Sequence, residues 1–137
     1  GMAISACGCQ IGHSFAQTFG AMHHIPHGLG CAWGLPGVMI YTAKYGERSN
    51  LEIVAEAMDV SFDEHTDTMQ LAKKLAQKVT DLMRELNIKS IKDSGYTLED
   101  CMESAERFMH DGAFGNSPGN PRMEEIKEYI SDTYSMY

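Results

Sequence analysis

The sequence predicts an all-α fold, a single bundle of five to six helices that takes in residues 1–137 as one domain. Three observations support this prediction. Apolar residues recur at intervals of three and four over most of the chain. No segment alternates apolar and polar residues as a strand does. Residues that commonly cap helices stand at several predicted starts, as at Ser49, Thr97 and Asn120.

The first two helices come from the N-terminal third of the chain. Residues 3–19 form the first predicted helix, and Gly20 is expected to stop it. Residues 28–45 form the second, and their nearly continuous apolar character indicates the most buried helix of the bundle. Pro36 is expected to kink this helix and Gly46 to end it.

Two further helices follow in the middle of the chain. A capping box at Ser49 and Glu52 predicts the start of a short helix that runs to about Met58. A longer helix is predicted over residues 67–86 on the basis of one apolar stripe. The residues of that stripe are Leu71, Leu75, Val79, Leu82, Met83 and Leu86.

The C-terminal third contains the last predicted helices. Thr97 is the expected N-cap of one helix, and Gly112 is its expected C-cap. Residues 113–121 are a loop rich in glycine and asparagine. Asn120 is expected to cap the final helix and Pro121 to take its first position.

Composition excludes several classes of function. The formal charge of −8 argues against a nucleic-acid partner, because phosphate binding needs a basic surface. No apolar run is long enough for a membrane span. The N-terminus shows no charged leader followed by an apolar core, so a cytoplasmic protein is expected. The four cysteines therefore predict free thiols and no disulfide framework.

A histidine-rich stretch, residues 12–41, stands out from the rest of the chain. It holds four of the six histidines, the only tryptophan and six of the thirteen glycines. The four histidines are His13, His23, His24 and His27. One interpretation is a buried helix pair with hydrogen-bonded histidines. The other is a metal site, because neutral imidazole is the commonest metal ligand.

Spacing within this stretch favours two of the histidines as ligands. His13 lies in the first helix, and Gln17 would share its face one turn later. His27 follows Pro26, which can start a helix, so His27 lies in the opening turn of the second helix. Imidazoles from two adjoining helices can converge on one ion. A small independent site made of all four histidines is the alternative.

The same stretch resembles the second signature of the iron-containing alcohol dehydrogenase family. In that signature a histidine is followed four residues later by a second histidine, then by glycine, Pro-His-Gly and an apolar Leu-Pro-x-Val run. The matching residues here are His13, Gln17, Gly20, Pro26-His27-Gly28 and Leu35-Pro36-Gly37-Val38, with a later Gly119-Asn120-Pro121-Arg122 resembling the family's Asn-Pro-Arg. The whole chain is similar to the C-terminal part of the family's helical, dehydroquinate synthase-like domain.

The resemblance implies a role for five side chains. His13 and His27 would occupy ligand positions for Fe²⁺ or Zn²⁺, and Gln17, His23 and His24 would line the substrate pocket. Gln17 stands where the family has its second histidine, and glutamine cannot titrate near neutral pH. The family's other two ligands, an aspartate and a histidine, lie upstream of this signature, as does its nucleotide-binding domain. NAD(P) chemistry would therefore need a partner that supplies that domain.

Two functions stay open at this point. The chain is either part of a metal-dependent, NAD(P)-linked alcohol dehydrogenase that is inactive alone, or a helical binding module that has lost catalysis. Its expected partner is a missing N-terminal dehydrogenase domain or a second copy of itself, since an apolar face would lack its cover. With only two ligands, metal binding by the isolated chain is expected to be weak or absent.

Overall fold

The computed structural model describes residues 2–137, apart from the side chains of Ala3, Ile4 and Cys7. This part of the chain is all helical, with eight α-helices, one 3₁₀ turn and no strand, so the predicted fold class is confirmed. The helices are α1 (Met2–Cys7), α2 (Ile11–Met22), α3 (His27–Tyr45), α4 (Arg48–Ala57), α5 (Thr68–Glu85), α6 (Leu98–Met102), α7 (Ala105–Phe108) and α8 (Met123–Met136), and the 3₁₀ turn is Phe114–Asn116. None of these helices is both long and apolar enough to cross a membrane.

Helix α3 is the centre of the bundle and packs against α2, α4, α5 and α8. Trp33 and Tyr41 project into one core cluster, while Met39 and Ile40 project into a second one that α4 and α5 complete. The helix is central but is not the most buried, which corrects the sequence prediction. Seven of the twelve residues of α2 are buried against eight of nineteen in α3, and Leu35 is 41% exposed.

The N-terminal prediction of one helix over residues 3–19 is wrong. The chain breaks between α1 and α2, where Gly8 adopts a φ of 69° that a side chain would disfavour. Helix α2 also continues past Gly20 to Met22. The corner to α3 is made by His24, with a φ of 54°, and by the N–H of Ile25, which donates to the carbonyl of Gly20 at 2.9 Å.

Helix ends agree with the sequence only in part. Thr97 caps α6 as predicted, in a reciprocal capping box with Asp100. Ser49 is not a cap, because α4 already begins at Arg48 with Glu47 as N-cap. Three further predictions are wrong. Arg122 and not Asn120 is the N-cap of α8, Met123 and not Pro121 is its first residue, and α7 ends at Phe108, before Gly112.

Helix α5 is amphipathic as predicted, with its start and end within a residue of the predicted bounds. The Asp67 side chain caps it by accepting from the N–H of Gln70. Four stripe residues, Leu71, Leu75, Val79 and Met83, are buried. Leu82 and Leu86 are 47% and 63% exposed, so the apolar stripe is narrower than the sequence indicated.

Candidate metal centre

The close packing of α2 against α3 positions the candidate centre. A Cβ atom on Gly30 would lie 3.0 Å from the Cα of Ala16, and one on Gly34 would lie 3.0 Å from the carbonyl oxygen of Gly12. The absence of side chains at both positions therefore lets the two backbones approach. At this separation His13, in the first turn of α2, reaches the side chains of the first two turns of α3.

Three side chains converge at this contact: His13, His27 and Cys31. The Nε2 atoms of His13 and His27 are 3.0 Å apart. The Cys31 sulfur lies 3.5 Å from Nε2 of His27 and 3.6 Å from Nδ1 of His13. Taking one donor atom from each residue, all three lie within 4.8 Å of one another. His13 and Cys31 are half-buried and His27 is exposed, so the group opens to solvent on one side.

These donors fit a transition-metal ion. In a tetrahedral zinc site, bonds of about 2.0–2.1 Å to nitrogen and 2.3 Å to sulfur place two nitrogens about 3.4 Å apart and a nitrogen and a sulfur about 3.6 Å apart. His13 presents Nε2 to His27 and Nδ1 to Cys31, so the three observed distances do not belong to one set of donor atoms. With one donor atom from each residue, the separations reach up to 4.8 Å, and a rotation of the side chains would be needed to bring all three to bonding distance of one ion. Imidazole and thiolate suit zinc, iron or cobalt, and do not suit magnesium or calcium.

The sequence analysis paired His13 with His27 but missed Cys31. A signal was present, because Cys31 follows His27 by four residues on α3 and so lies on the same face. Burial, with a smaller contribution from Cys9, raises the pKa of the Cys31 thiol above its usual range. A metal ion beside this sulfur would oppose that effect, since a coordinating thiol is deprotonated by the ion.

Gln17 projects from α2 one turn after His13 and is held by a carboxylate. With its amide nitrogen turned towards Asp111, it donates a hydrogen bond to Oδ1 at 3.2 Å and a second, shorter one to Oδ2. The buried Ser14 hydroxyl donates to the same Oδ1 at 2.6 Å. Asp111 lies 97 residues from Ser14 in the chain, so no local pattern could have predicted this contact.

The other two predicted pocket residues lie apart from the three donors. His23 packs its ring between Phe19 and Tyr96, at centroid distances of 4.6 and 5.0 Å. His24 is exposed and lines an open cleft of about 460 Å³ together with Gln17 and His27. Neither belongs to the group of donors found among residues 2–137, so the alternative of a four-histidine site is wrong.

A second cleft, of about 360 Å³, lies on the other side of His13. Cys31 and Cys9 line it together with the apolar side chains of Leu35 and Val38. The candidate centre thus stands between a cleft with polar groups and one with mostly apolar walls. A small ligand that touches the ion and carries a hydrocarbon chain would match this arrangement.

Comparison with known proteins shows the family of the chain. The family model described as "Fe-containing alcohol dehydrogenase family, C-terminal" matches residues 1–134. The chain is similar to an NADPH-dependent butanol dehydrogenase from Clostridium saccharobutylicum, with 29% identity over 98% of this chain and 35% of the relative. It is also similar to lactaldehyde reductase from Escherichia coli K12, with 30% identity over 93% of this chain and 33% of the relative.

A third relative is the bifunctional aldehyde-alcohol dehydrogenase AdhE of Escherichia coli K12, which is 28% identical over 98% of this chain and 17% of its own length. The chain therefore spans about a third of the length of the first two relatives and about a sixth of the third. A family model that matches nearly all of the residues, on a helical fold with paired histidines, decides the assignment. The chain belongs to the Fe-containing alcohol dehydrogenase family and corresponds to its C-terminal helical region.

Proposed function

We propose that this chain supplies part of the metal and substrate site of a metal-dependent, NAD(P)-linked alcohol dehydrogenase. The observation that carries the proposal is the convergence of His13 and His27, with their Nε2 atoms 3.0 Å apart beside an open cleft. The reaction would interconvert a small alcohol and its aldehyde or ketone. In the oxidising direction, the alcohol carbon gives a hydride to NAD(P)⁺ and the hydroxyl loses a proton to solvent.

The chain's own residues would bind and orient the substrate. A bound Fe²⁺ or Zn²⁺ would supply Lewis-acid polarisation of the alcohol oxygen. His13 and His27 would hold the ion from two helices whose backbones are in close contact. With its nitrogen held by Asp111, the Gln17 amide would present its oxygen, which can accept a hydrogen bond from the substrate hydroxyl. It cannot take up the proton, because glutamine does not titrate near neutral pH.

The nicotinamide cofactor must come from outside residues 1–137. Hydride transfer needs the nicotinamide at about 3.5 Å or less from the reacting carbon. The sequence contains no glycine-rich turn between a strand and a helix, and residues 2–137 form no strand. Residues 1–137 expressed alone are therefore predicted to show no alcohol oxidation with NAD⁺ or NADP⁺.

A fusion protein tests this proposal. Residues 1–137 replace the matching C-terminal third of lactaldehyde reductase from Escherichia coli, and NADH- or NADPH-linked reduction of small aldehydes is measured. We expect turnover that a chelator abolishes. His27→Ala should lower kcat/KM by about a hundredfold or more, because several kcal/mol of charge stabilisation leaves with the ion.

The matched control is His65→Ala, at an exposed histidine that is not among the converging donors. This variant should keep the activity of the parent fusion. Full activity in the His27→Ala fusion would contradict the proposal. So would turnover by residues 1–137 alone, because the cofactor would then have a site within them.

Self-association is a second candidate function, favoured by a separate observation. A cleft of about 650 Å³ between α3 and α4 is lined by the apolar side chains of Leu35, Val38, Met39, Leu51 and Val54. Leu35 at its edge is 41% exposed. An apolar groove with an exposed leucine at its edge is typical of a contact surface, and a second copy of this chain is the occupant that we propose.

A further inference from the structure

We infer that Cys31 is a third metal ligand, and that His13, His27 and Cys31 together form a zinc-type site within residues 1–137. The inference rests on the proposed metal role of the two histidines and extends it. A two-histidine set would depend on ligands from elsewhere in the protein. The three-residue set would bind an ion by itself.

Distance is the first argument. The Cys31 sulfur is 3.5 Å from Nε2 of His27 and 3.6 Å from Nδ1 of His13, and one donor atom from each of the three residues lies within 4.8 Å of the others. Cys31 shares a face of α3 with His27, one turn away, and the α2 backbone places His13 opposite them. Because His13 presents Nε2 to His27 but Nδ1 to Cys31, the ring of His13 has to turn before one donor of each residue faces a common point, whereas the helices already lie close enough.

Charge is the second argument. Two neutral imidazoles leave both positive charges of a divalent ion without compensation. A Cys31 thiolate neutralises one of these charges, and its sulfur is a softer donor than a carboxylate oxygen. This set should prefer Zn²⁺ and Co²⁺ over Mn²⁺ and Mg²⁺, which prefer oxygen ligands.

Exposure is the third argument. His27 is exposed, and clefts open on both sides of the group, so three protein ligands would leave a coordination position that faces solvent. Structural zinc sites are closed by four protein ligands, whereas three ligands with an open position are typical of sites that bind water or substrate. The site is therefore suited to bind a small oxygen ligand as well as the ion.

Cobalt titration tests the inference, because a thiolate bound to Co²⁺ gives a charge-transfer band in the near ultraviolet and imidazole does not. The purified, reduced chain is titrated with Co²⁺ and then with competing Zn²⁺. We expect one equivalent to bind with this band. Cys31→Ser and Cys31→Ala should lose the band and bind Co²⁺ at least about tenfold more weakly. Removing an outer-shell partner of a metal ligand already lowers metal affinity about tenfold, and removing a ligand itself should lower it at least as much.

Two controls are matched to these variants. Cys9→Ser removes the other thiol of the same cleft, and His65→Ala removes an exposed histidine outside the group, so both should keep the band and the affinity. Circular dichroism checks that each variant is folded. Alkylation of the unaltered chain, followed by mass spectrometry, is an independent test. Zn²⁺ should protect Cys31 from alkylation and leave Cys9 reactive.

The outcomes separate this inference from the proposed function. One outcome is that Co²⁺ binds without the thiolate band, that His13→Ala and His27→Ala lose this binding, and that Cys31→Ser keeps it unchanged. That result overturns the role of Cys31 and leaves the two histidines as ligands. The absence of stoichiometric binding overturns the three-ligand site, while the fusion experiment still decides the proposed function. A band lost only in Cys9→Ser also overturns the inference.

Discussion

The carboxylate of Asp111 joins helix α2 to the turn that follows α7. It accepts from the Ser14 hydroxyl at 2.6 Å and from the N–H of Ala113 at 3.0 Å, and it also holds the amide of Gln17. Ser14 is fully buried, so its hydroxyl has no access to water as a substitute partner. This side chain therefore helps to hold α2, with His13 on it, against the C-terminal half of the chain, together with Ser117, whose hydroxyl oxygen accepts from the N–H of Ile11 at 2.9 Å.

Asp111→Ala is predicted to lower the free energy of unfolding by about 1–3 kcal/mol, because it leaves the buried Ser14 hydroxyl without an acceptor. Asp111→Asn keeps an acceptor oxygen and should cost less. Urea unfolding followed by circular dichroism measures both. Adding Ser14→Ala to Asp111→Ala should recover part of the loss, since the unpaired group is then gone. A cost for Asp111→Ala that Ser14→Ala does not reduce would contradict this account.

Helices α3 and α8 pack closely at Gly37, where α3 has no side chain to separate them. A Cβ atom on Gly37 would overlap the hydroxyl oxygen of Thr133 and come within 3.0 Å of a ring carbon of Tyr129. The Tyr129 hydroxyl donates to the carbonyl of Gly34 at 3.0 Å across the same contact. Tyr129 is fully buried, and burial raises its pKa well above the usual range, so it acts as a neutral donor.

Gly37→Ala is predicted to destabilise the fold by about 1–3 kcal/mol, because the added methyl group has to push α8 away from α3. Gly28→Ala is the matched control on the same helix, where an added Cβ atom meets no heavy atom within 4 Å. That variant should be neutral or slightly stabilising, since alanine favours the helix and restricts the unfolded chain. Thermal unfolding of both proteins gives the comparison, and equal midpoints would show that the α3–α8 contact is not tight.

The helices could be predicted from sequence much better than their ends. A nearly continuous apolar run ending at Gly46 located α3, and an apolar stripe located α5, each within a residue of its observed bounds. The caps at Ser49 and Asn120 were predicted wrongly, since both residues are of capping type but the helices begin with Glu47 and Arg122 at the N-cap position. Tertiary contacts select among such nearby starts, and a single sequence does not reveal them.

The candidate site, which depends on the fold of the whole molecule, could also be predicted only in part. His13 and His27 could be paired because the sequence placed them on adjoining helices joined by a short corner. The role of Asp111 could not be predicted, because it depends on how the C-terminal third folds back onto α2. Cys31 lay within reach of sequence reasoning, but its distance to His13 depends on the α2–α3 spacing that Gly30 and Gly34 allow.

The last prediction concerns assembly of the whole chain through the cleft between α3 and α4. Leu35→Glu places a charge at the apolar edge of the cleft, and a desolvated charge without a partner opposes association. We expect the chain to form dimers at micromolar concentration and the Leu35→Glu variant to be monomeric, as measured by multi-angle light scattering. Leu82→Glu is the matched control, because Leu82 is a similarly exposed leucine, at 47%, on α5 outside this cleft. It should leave the dimer intact. A monomeric parent chain, or equal loss of the dimer in both variants, would show that the cleft is not the contact surface between copies.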